Sequence, residues 1–164
     1  MGDVTHVEPD GQPTTRLAET YRRYSTDLVR FATVLVGPDD AADVVSSAMI
    51  RVLPRLESIQ KPRAYLFQAV ANEVRNLKRG EARRRQREAG MSPPDVVHMS
   101  EQYPEIRAAV EGLSVRQRAV VYLTYWEDLT VQSIAEHLGI GRGSVRRHLA
   151  RARKNLRRAL HEHN

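Results

Sequence analysis

The chain has 164 residues, and its 26 Lys and Arg against 20 Asp and Glu give a formal net charge of +6. This length fits one ordinary domain or, better, two small ones, and it excludes a large enzyme barrel. The absence of cysteine excludes disulfides, thiolate metal sites and cysteine nucleophiles, and no apolar run is long enough to span a membrane. We therefore expect a soluble, cytoplasmic protein without membrane insertion.

Helical periodicity dominates the first half of the chain, after a polar tail at residues 1–15 that we expect to be disordered. One helix is predicted from about residue 14 to residue 36, where a Gly-Pro pair stops it. A second follows Asp39 and Asp40, whose carboxylates suit a helix N-terminus. A third begins at Pro62, where proline fits the first turn, and continues to about residue 88.

The third helix has two different faces at about 100° per residue. Its apolar face, which we expect to lie in a core, carries Leu66, Phe67, Val70, Val74 and Leu77. Its polar, basic face carries Tyr65, Gln68, Asn72, Arg75, Asn76, Arg79 and Arg83. Positive charge mixed with an aromatic ring and amides suits single-stranded nucleic acid, which offers a charged backbone and unstacked bases. A solvated helix with Tyr65 half-packed in the core is the competing interpretation.

Residues 90–104 contain three prolines and no periodicity, which indicates a flexible linker between a first domain at 16–89 and a second domain at 105–164. No strand with convincing alternation is present, so the predicted fold class is all-α, with two small helical domains. The helices of the second domain are predicted at 105–111, at 115 to about 127 with Ser114 as N-cap, at 131–138 with Thr130 as N-cap, and at about 142–161.

The strongest functional signal is a helix-turn-helix from Thr130 to Arg158. In this motif the second helix enters the major groove, so its outer face needs small or polar residues near its start, and Arg or Lys for base edges and phosphates. The inner face is predicted to carry Val145, Leu149, Ala152, Leu156 and Leu160. The DNA-facing residues are predicted to be Arg142, Ser144, Arg146, Arg147, His148 and Arg151. A solvated basic helix of a bundle is the competing interpretation.

No enzyme signature stands out in the sequence. There is no Gly-rich phosphate loop, and the six histidines form no paired metal-ligand pattern beyond two in the C-terminal tail. No acid–base pair is evident. We therefore expect no catalytic residues, no bound metal and no cofactor.

In order and spacing, the residues from Tyr21 to Leu160 resemble the extracytoplasmic-function group of bacterial RNA polymerase sigma factors, in the sigma-70 family. In the first half the resemblance rests on the segment Asp-Ala-Ala-Asp-Val-Val at 40–45, on Ala64-Tyr65-Leu66, on Ala71-Asn72 and on Arg79. In the second half it rests on residues 113–120 and 125–130, Ile134-Ala135, Leu138-Gly139, residues 143–145 and Arg151-Ala152-Arg153. Three features depart from the family pattern: Ser46-Ser47 replaces Gln-Glu, Tyr65 replaces a frequent tryptophan, and Ala42 replaces an acid.

The resemblance implies a specificity subunit that acts without catalysis of its own. It implies docking on core RNA polymerase, at the clamp region of the beta-prime subunit, through Asp40, Asp43, Ser46 and Ser47. It implies opening and recognition of the minus-ten promoter element by Tyr65, Asn72, Arg75, Asn76 and Arg79. The helix-turn-helix would read the minus-thirty-five element, and an anti-sigma factor is expected as an inhibitory partner.

Two other classes stay open on the residues alone. A free-standing helix-turn-helix regulator, whose first domain dimerises or senses a ligand, predicts tight binding to a palindrome by the protein itself. A nucleic-acid-processing enzyme with an accessory helix-turn-helix needs a metal or acid–base cluster in residues 17–90. Asp39, Asp40 and Asp43 are candidates, although acids at a helix start are the simpler interpretation. Two basic stripes on separate domains favour the sigma factor.

Overall fold

The computed structural model describes residues 13–87 and 104–161, and all regular structure in these two segments is helical. The described helices are α1 (Pro13–Val36), α2 (Pro38–Val52), a 3₁₀ helix (Leu53–Ser58), α3 (Pro62–Arg87), α4 (Pro104–Glu111), α5 (Val115–Tyr125), α6 (Val131–Leu138) and α7 (Arg142–His161). The predicted all-α class is confirmed. Most of the predicted tail and linker lies outside the described residues, but Pro104, predicted as linker, begins α4 because proline fits the first turn of a helix.

The Gly-Pro pair between α1 and α2 ends one helix and starts the next. Gly37 has a φ of +98°, which favours glycine, and its N–H still donates to the carbonyl of Thr33 at 2.9 Å. Pro38 occupies the first turn of α2, where its missing N–H has no intrahelical partner to lose. The chain therefore reverses within two residues, and α2 packs beside α1.

Side-chain caps fix the helix starts in the second half. The N–H of Gln117 donates to Oγ of Ser114 at 3.3 Å, and the N–H of Ser114 donates to Oε1 of Gln117 at 2.9 Å, which completes a capping box at the start of α5. The helix ends at Tyr125, about two residues earlier than predicted. The reason is that Asp128 adopts a left-handed conformation, with a φ of +50°, and turns the chain toward α6.

The predicted core faces are largely confirmed. On α3, Leu66, Phe67, Val70 and Val74 are fully buried and Leu77 is half-buried. On α7, Val145, Leu149 and Ala152 are buried. The prediction for Leu160 was wrong, because this side chain is 42% exposed on the last turn of α7, where the inner face is no longer covered by the described helices.

Helices α1–α3 with the 3₁₀ helix form an N-terminal group, and α4–α7 form a C-terminal group; the two groups pack against each other. The ring of Phe31 lies 5.0 Å from that of Phe67 on α3 and 5.5 Å from that of Tyr122 on α5. The Phe67 ring also meets the edge of His137 on α6 at 5.5 Å. One continuous apolar core therefore runs through both groups, a feature that the sequence did not predict.

Candidate nucleic-acid interface

The second helix of the predicted helix-turn-helix presents its basic residues to solvent. The buried Val145, Leu149 and Ala152 anchor one side of α7. The predicted DNA-facing residues lie on the remaining surface: Arg142, Arg146, Arg147 and Arg151 are exposed, and Ser144 and His148 are half-buried. No acidic residue interrupts this helix, whereas it carries eight Lys or Arg. The outer surface of α7 is therefore positively charged along its whole length.

The turn before α7 is held by backbone and side-chain hydrogen bonds. Oγ1 of Thr130 accepts from the N–H of Ser133 at 3.2 Å, which caps α6 as predicted. Gly139 ends α6 with a φ of +60° and a ψ of 40°, and its N–H donates to the carbonyl of Glu136 at 3.4 Å. Nη1 of Arg116 on α5 donates to the carbonyl of Leu138 at 3.2 Å. These bonds fix the angle at which α7 leaves the turn.

Burial and nearby positive charges disfavour the protonated form of His148 within this basic surface. Burial lowers the pKa of His148 below its ordinary value, and the charges of Arg116, Arg151 and Arg147 lower it further. A neutral imidazole is both a hydrogen-bond donor and an acceptor, whereas the neighbouring guanidinium groups only donate. The face therefore combines cationic donors with two neutral groups that can accept, the hydroxyl of Ser144 and the imidazole of His148.

A groove of about 620 Å³ runs along the polar face of α3. It brings together four of the five residues predicted for the minus-ten strand: Tyr65, Asn72, Arg75 and Asn76. Arg79 is exposed on the same helix but does not line the groove. Arg75 donates to Oδ1 of Asn72, while its own Nε is buried without a hydrogen-bond partner in the described part of the chain.

Two basic lining residues were missed by the sequence analysis, namely Arg51 and Arg55. Arg51 ends α2 and pairs with Glu73 at 3.2 Å, and Arg55 is exposed on the 3₁₀ helix. Helical periodicity could not find them, because the groove wall is formed where α2 gives way to a tighter helix. The groove thus carries more positive charge than α3 supplies alone.

The third predicted surface lies on α2. Asp40, Asp43 and Ser46 are exposed and Ser47 is half-buried, and the buried Val44, Val45, Ala48 and Met49 occupy the opposite side. Ile50 was missed by the sequence analysis: its side chain is 67% exposed, one turn beyond Ser46 and two turns beyond Asp43. Exposed acids beside an exposed aliphatic side chain form a surface that a basic and apolar partner fits.

No group of three or more His, Cys, Asp or Glu in residues 13–87 and 104–161 is arranged to hold a metal ion, including the acids at the start of α2. Within the same residues, no helix has both the length and the apolar character needed to cross a membrane.

Fold and charge together define a class, an all-helical protein with a helix-turn-helix and a second basic helix. Models of sigma-70 region 2 and sigma-70 region 4 match residues 20–84 and 103–156. The RNA polymerase sigma-E factor of Streptomyces avermitilis is 33% identical over 152 residues, which cover 87% of this chain and 84% of the relative. The ECF RNA polymerase sigma factor SigL of Mycobacterium tuberculosis is 31% identical over 155 residues, with 87% of each chain covered.

Solved structures agree with this fold. The sigma factor RpoE of Bartonella quintana, in complex with the anti-sigma factor NepR, has a TM-score of 0.73 at 22% identity, with 87% of this chain and 95% of that chain covered. CnrH, in complex with the cytosolic domain of CnrY, has a TM-score of 0.62 at 21% identity, with 90% and 89% covered. The chain belongs to the extracytoplasmic-function group of RNA polymerase sigma factors, as its motifs indicated. Its function is therefore that of a sigma factor, and a free-standing regulator is not favoured.

Proposed function

We propose that this sigma factor directs core RNA polymerase to promoters through three surfaces with separate tasks. The exposed face of α7 reads the minus-thirty-five duplex, the groove on α3 holds the unstacked minus-ten strand, and α2 docks on the clamp of the beta-prime subunit. The observation that carries the proposal is the presence of two basic surfaces, on α3 and α7, on helices of different groups. We assign the two functional domains to residues 16–89 and 105–164.

The α7 face is suited to a duplex because its cations follow one side of a helix that fits the major groove. Arg147→Ala and Arg151→Ala should each weaken binding to an upstream duplex by about 1–3 kcal/mol, which is roughly 5- to 150-fold. Arg157→Ala is the matched control: it removes the same charge from an exposed position on α7, about 15 Å beyond Arg147 and about 9 Å beyond Arg151 along the helix axis. Fluorescence anisotropy with a labelled promoter duplex measures all three. Equal losses in all three variants would mean that the total charge of α7 attracts the DNA and that the proposed face does not read it.

The α3 groove is suited to a single strand because it combines cations, amides and the Tyr65 ring in one cleft. Stacking of a base on an aromatic ring contributes about 1–3 kcal/mol, so capture of unpaired bases favours the open state. Asn72→Ala should therefore impair promoter opening more than closed-complex binding. Permanganate footprinting reports opening, and closed-complex binding by the same variant is the internal control. An unchanged footprint would contradict the role of Asn72.

The α2 surface supports polymerase docking through charge and an apolar contact. Asp43→Asn and Ile50→Ser should each weaken binding to core RNA polymerase, since one loses a charged contact and the other an exposed apolar one. Glu19→Gln is the control, because it removes an exposed acid from α1, outside this surface. Surface plasmon resonance with immobilised core polymerase distinguishes them. Ser46-Ser47 supply two hydroxyls at positions where the family carries longer polar side chains, so we expect weaker docking than for a Gln-Glu relative.

Run-off transcription tests the proposal as a whole. Purified core polymerase, with and without this chain, is supplied with a pool of genomic promoter fragments from the source organism. Specific, dose-dependent transcripts are expected only when the chain is present. Polymerase-independent binding to a palindrome without transcripts would instead indicate a free-standing regulator.

An anti-sigma factor is the inhibitory partner that we propose. A sigma factor of similar fold, RpoE of Bartonella quintana, was solved in complex with the anti-sigma factor NepR, and CnrH was solved in complex with the cytosolic domain of CnrY. The surfaces available to an inhibitor are the same ones that polymerase and DNA require, so binding of the inhibitor and transcription should exclude each other. Proteins cross-linked to the chain in its native cells, identified by mass spectrometry, test this assignment.

A further inference from the structure

Three basic side chains from different helices meet between α3, α5 and α7, and we call them the basic junction: Arg75 on α3, Arg116 on α5 and His148 on α7. All three are half-buried. Burial lowers the pKa of Arg116, and the positive charge of Arg75 lowers it further. Burial also lowers the pKa of His148, and the charge of Arg116 adds to this effect. Each member of the junction is therefore close enough to feel the charge of the next.

Contacts at the end of α6 bring Arg116 close to the groove on α3. Nη1 of Arg116 donates to the carbonyl of Leu138 at 3.2 Å. A Cβ added to the next residue, Gly139, would lie 2.1 Å from Nε2 of Gln68 on α3. The guanidinium of Arg116 therefore lies within about 10 Å of the Gln68 amide. Gln68 lines the same groove as Arg75, so the junction opens onto that groove.

The junction contains N–H donors that are not used by the protein itself. Nη2 of Arg75 donates to Oδ1 of Asn72, but its Nε is buried without a hydrogen-bond partner in the described part of the chain. A buried donor without an acceptor is unfavourable, so an acceptor bound there would stabilise the site. Arg116 has five N–H donors, of which the bond to Leu138 uses one.

The acidic side chains near the junction do not neutralise it. Glu73, two residues before Arg75, pairs with Arg51 at 3.2 Å. The first turn of α5 contains no acid, and α7 contains none along its length. The charges that act on Arg116 and His148 are those of other basic residues. Clustered cations with an unused buried donor indicate a site for an anion that comes from outside the chain.

We propose that the basic junction binds a phosphate group, which Arg75 and Arg116 hold and His148 completes. The planar guanidinium fork matches phosphate oxygens, and a phosphate monoester carries a charge of about −1.5 to −2 at pH 7. A bound phosphate therefore supplies the missing acceptor and offsets the repulsion between the two arginines. The neutral imidazole of His148 can both donate to and accept from such a group. The inference does not depend on the proposed function, because phosphate binding is measured without polymerase or promoter.

The phosphate has two possible sources with the same chemistry. It can belong to a free phosphorylated compound such as a nucleotide, for which the adjoining groove of about 620 Å³ has room. It can also belong to the backbone of a DNA strand bound in that groove. A free compound would compete with the minus-ten strand for Arg75, so its concentration would regulate promoter binding.

Isothermal titration calorimetry with the full chain separates these sources. The probes are inorganic phosphate, adenosine 5′-monophosphate and a single-stranded oligonucleotide, each at constant ionic strength with chloride as the balancing anion. Binding of the small probes that depends on Arg116 supports the site and assigns it to a free phosphorylated compound. Dependence on Arg116 for the oligonucleotide alone supports the site and assigns it to the DNA backbone. Binding that is independent of Arg116 for every probe, or no binding, would overturn the proposal.

Arg116→Gln should weaken binding by about ten-fold or more, because hydrogen bonds between charged groups are lost. Arg84→Gln is the matched control. It removes the same charge from an exposed position on α3, about 14 Å beyond Arg75 along the helix axis, and should bind as the parent does. Equal weakening in the two variants would mean that only the net charge attracts the anion, which would overturn the proposal.

A measurement on the unsubstituted chain covers the case in which Arg116→Gln does not fold. The Nε–Hε resonance of Arg75 in a ¹⁵N–¹H correlation spectrum is assigned by its absence from Arg75→Lys. It should shift saturably during titration with the probe that binds, since a phosphate oxygen becomes its acceptor. A resonance that stays in place while the probe binds would place the anion elsewhere and overturn the proposal.

Discussion

The Arg63–Glu127 pair gives a measurable test of how strongly the two helical groups are coupled. The two side chains are 32% and 15% exposed, and their N–O distance is 2.5 Å. Exposed ion pairs contribute about 0.2–1 kcal/mol, and hydrogen bonds to charged groups contribute about 1.5–3 kcal/mol. Asp27 lies 3.7 Å from the same nitrogen of Arg63, so part of the charge stays paired when Glu127 is lost. We therefore expect a coupling free energy of about 1–1.5 kcal/mol.

Urea unfolding of the parent chain, Arg63→Met, Glu127→Gln and the double variant measures this coupling in a double-mutant cycle. Glutamine keeps an oxygen that can accept the 3.2 Å hydrogen bond from the Tyr122 hydroxyl. The contact of the Arg63 guanidinium with the Phe67 ring is lost both in Arg63→Met and in the double variant, so its contribution cancels in the cycle. The control cycle uses Arg107 and Glu111, paired at 3.0 Å within α4, for which about 0.2–0.5 kcal/mol is expected. A coupling no larger than in the control would refute the reasoning.

Three further perturbations have defined outcomes. Gly139→Ala should lower the free energy of unfolding by about 1–2 kcal/mol because of its φ of +60°. Gln68→Ala in the same background removes the clash with the new Cβ. It should therefore recover part of the lost stability in a thermal melt. Ser114→Ala should cost about 1 kcal/mol by removing the cap of α5; the midpoint of urea unfolding shows it. Burial lowers the pKa of His137. Below about pH 6.5 its imidazole is therefore protonated in the unfolded chain but still neutral in the folded chain. The free energy of unfolding falls with decreasing pH over this window, until the pH is below the pKa of His137 in the folded chain. His137→Gln should show a shallower loss of stability over this window, and an identical pH profile would exclude His137 as the cause.

Local signals in the sequence predicted the helix boundaries well. Ser114 and Thr130 cap α5 and α6 as expected, and Gly139 ends α6 in the left-handed conformation. Each of these signals acts within a few residues of the chain, so the local sequence is enough to predict where the helix begins or ends. The earlier end of α5 was not predictable in this way, because the left-handed conformation of Asp128 is only one of those open to an aspartate.

The candidate site was predicted less completely, for a physical reason. Periodicity gave the polar face of α3, whose Tyr65 and Asn72 do line one groove, but it gave neither Arg55 nor the exposed Ile50. Periodicity states which side of a helix is polar, and it does not state which neighbouring element completes a cleft. The burial of His137 was unpredictable for the same reason: it depends on contact with Phe67, on a helix about 70 residues away in the chain.

The contact between the two helical groups combines apolar and charged parts that act in opposite directions. The aromatic contact of Phe67 with His137 contributes about 0.5–1.5 kcal/mol beyond its buried area. Burial lowers the pKa of Arg116, and the like charge of Arg75 lowers it further. Arg75 is a residue that we assign to the minus-ten strand, so we expect a phosphate bound beside it to offset part of its repulsion with Arg116.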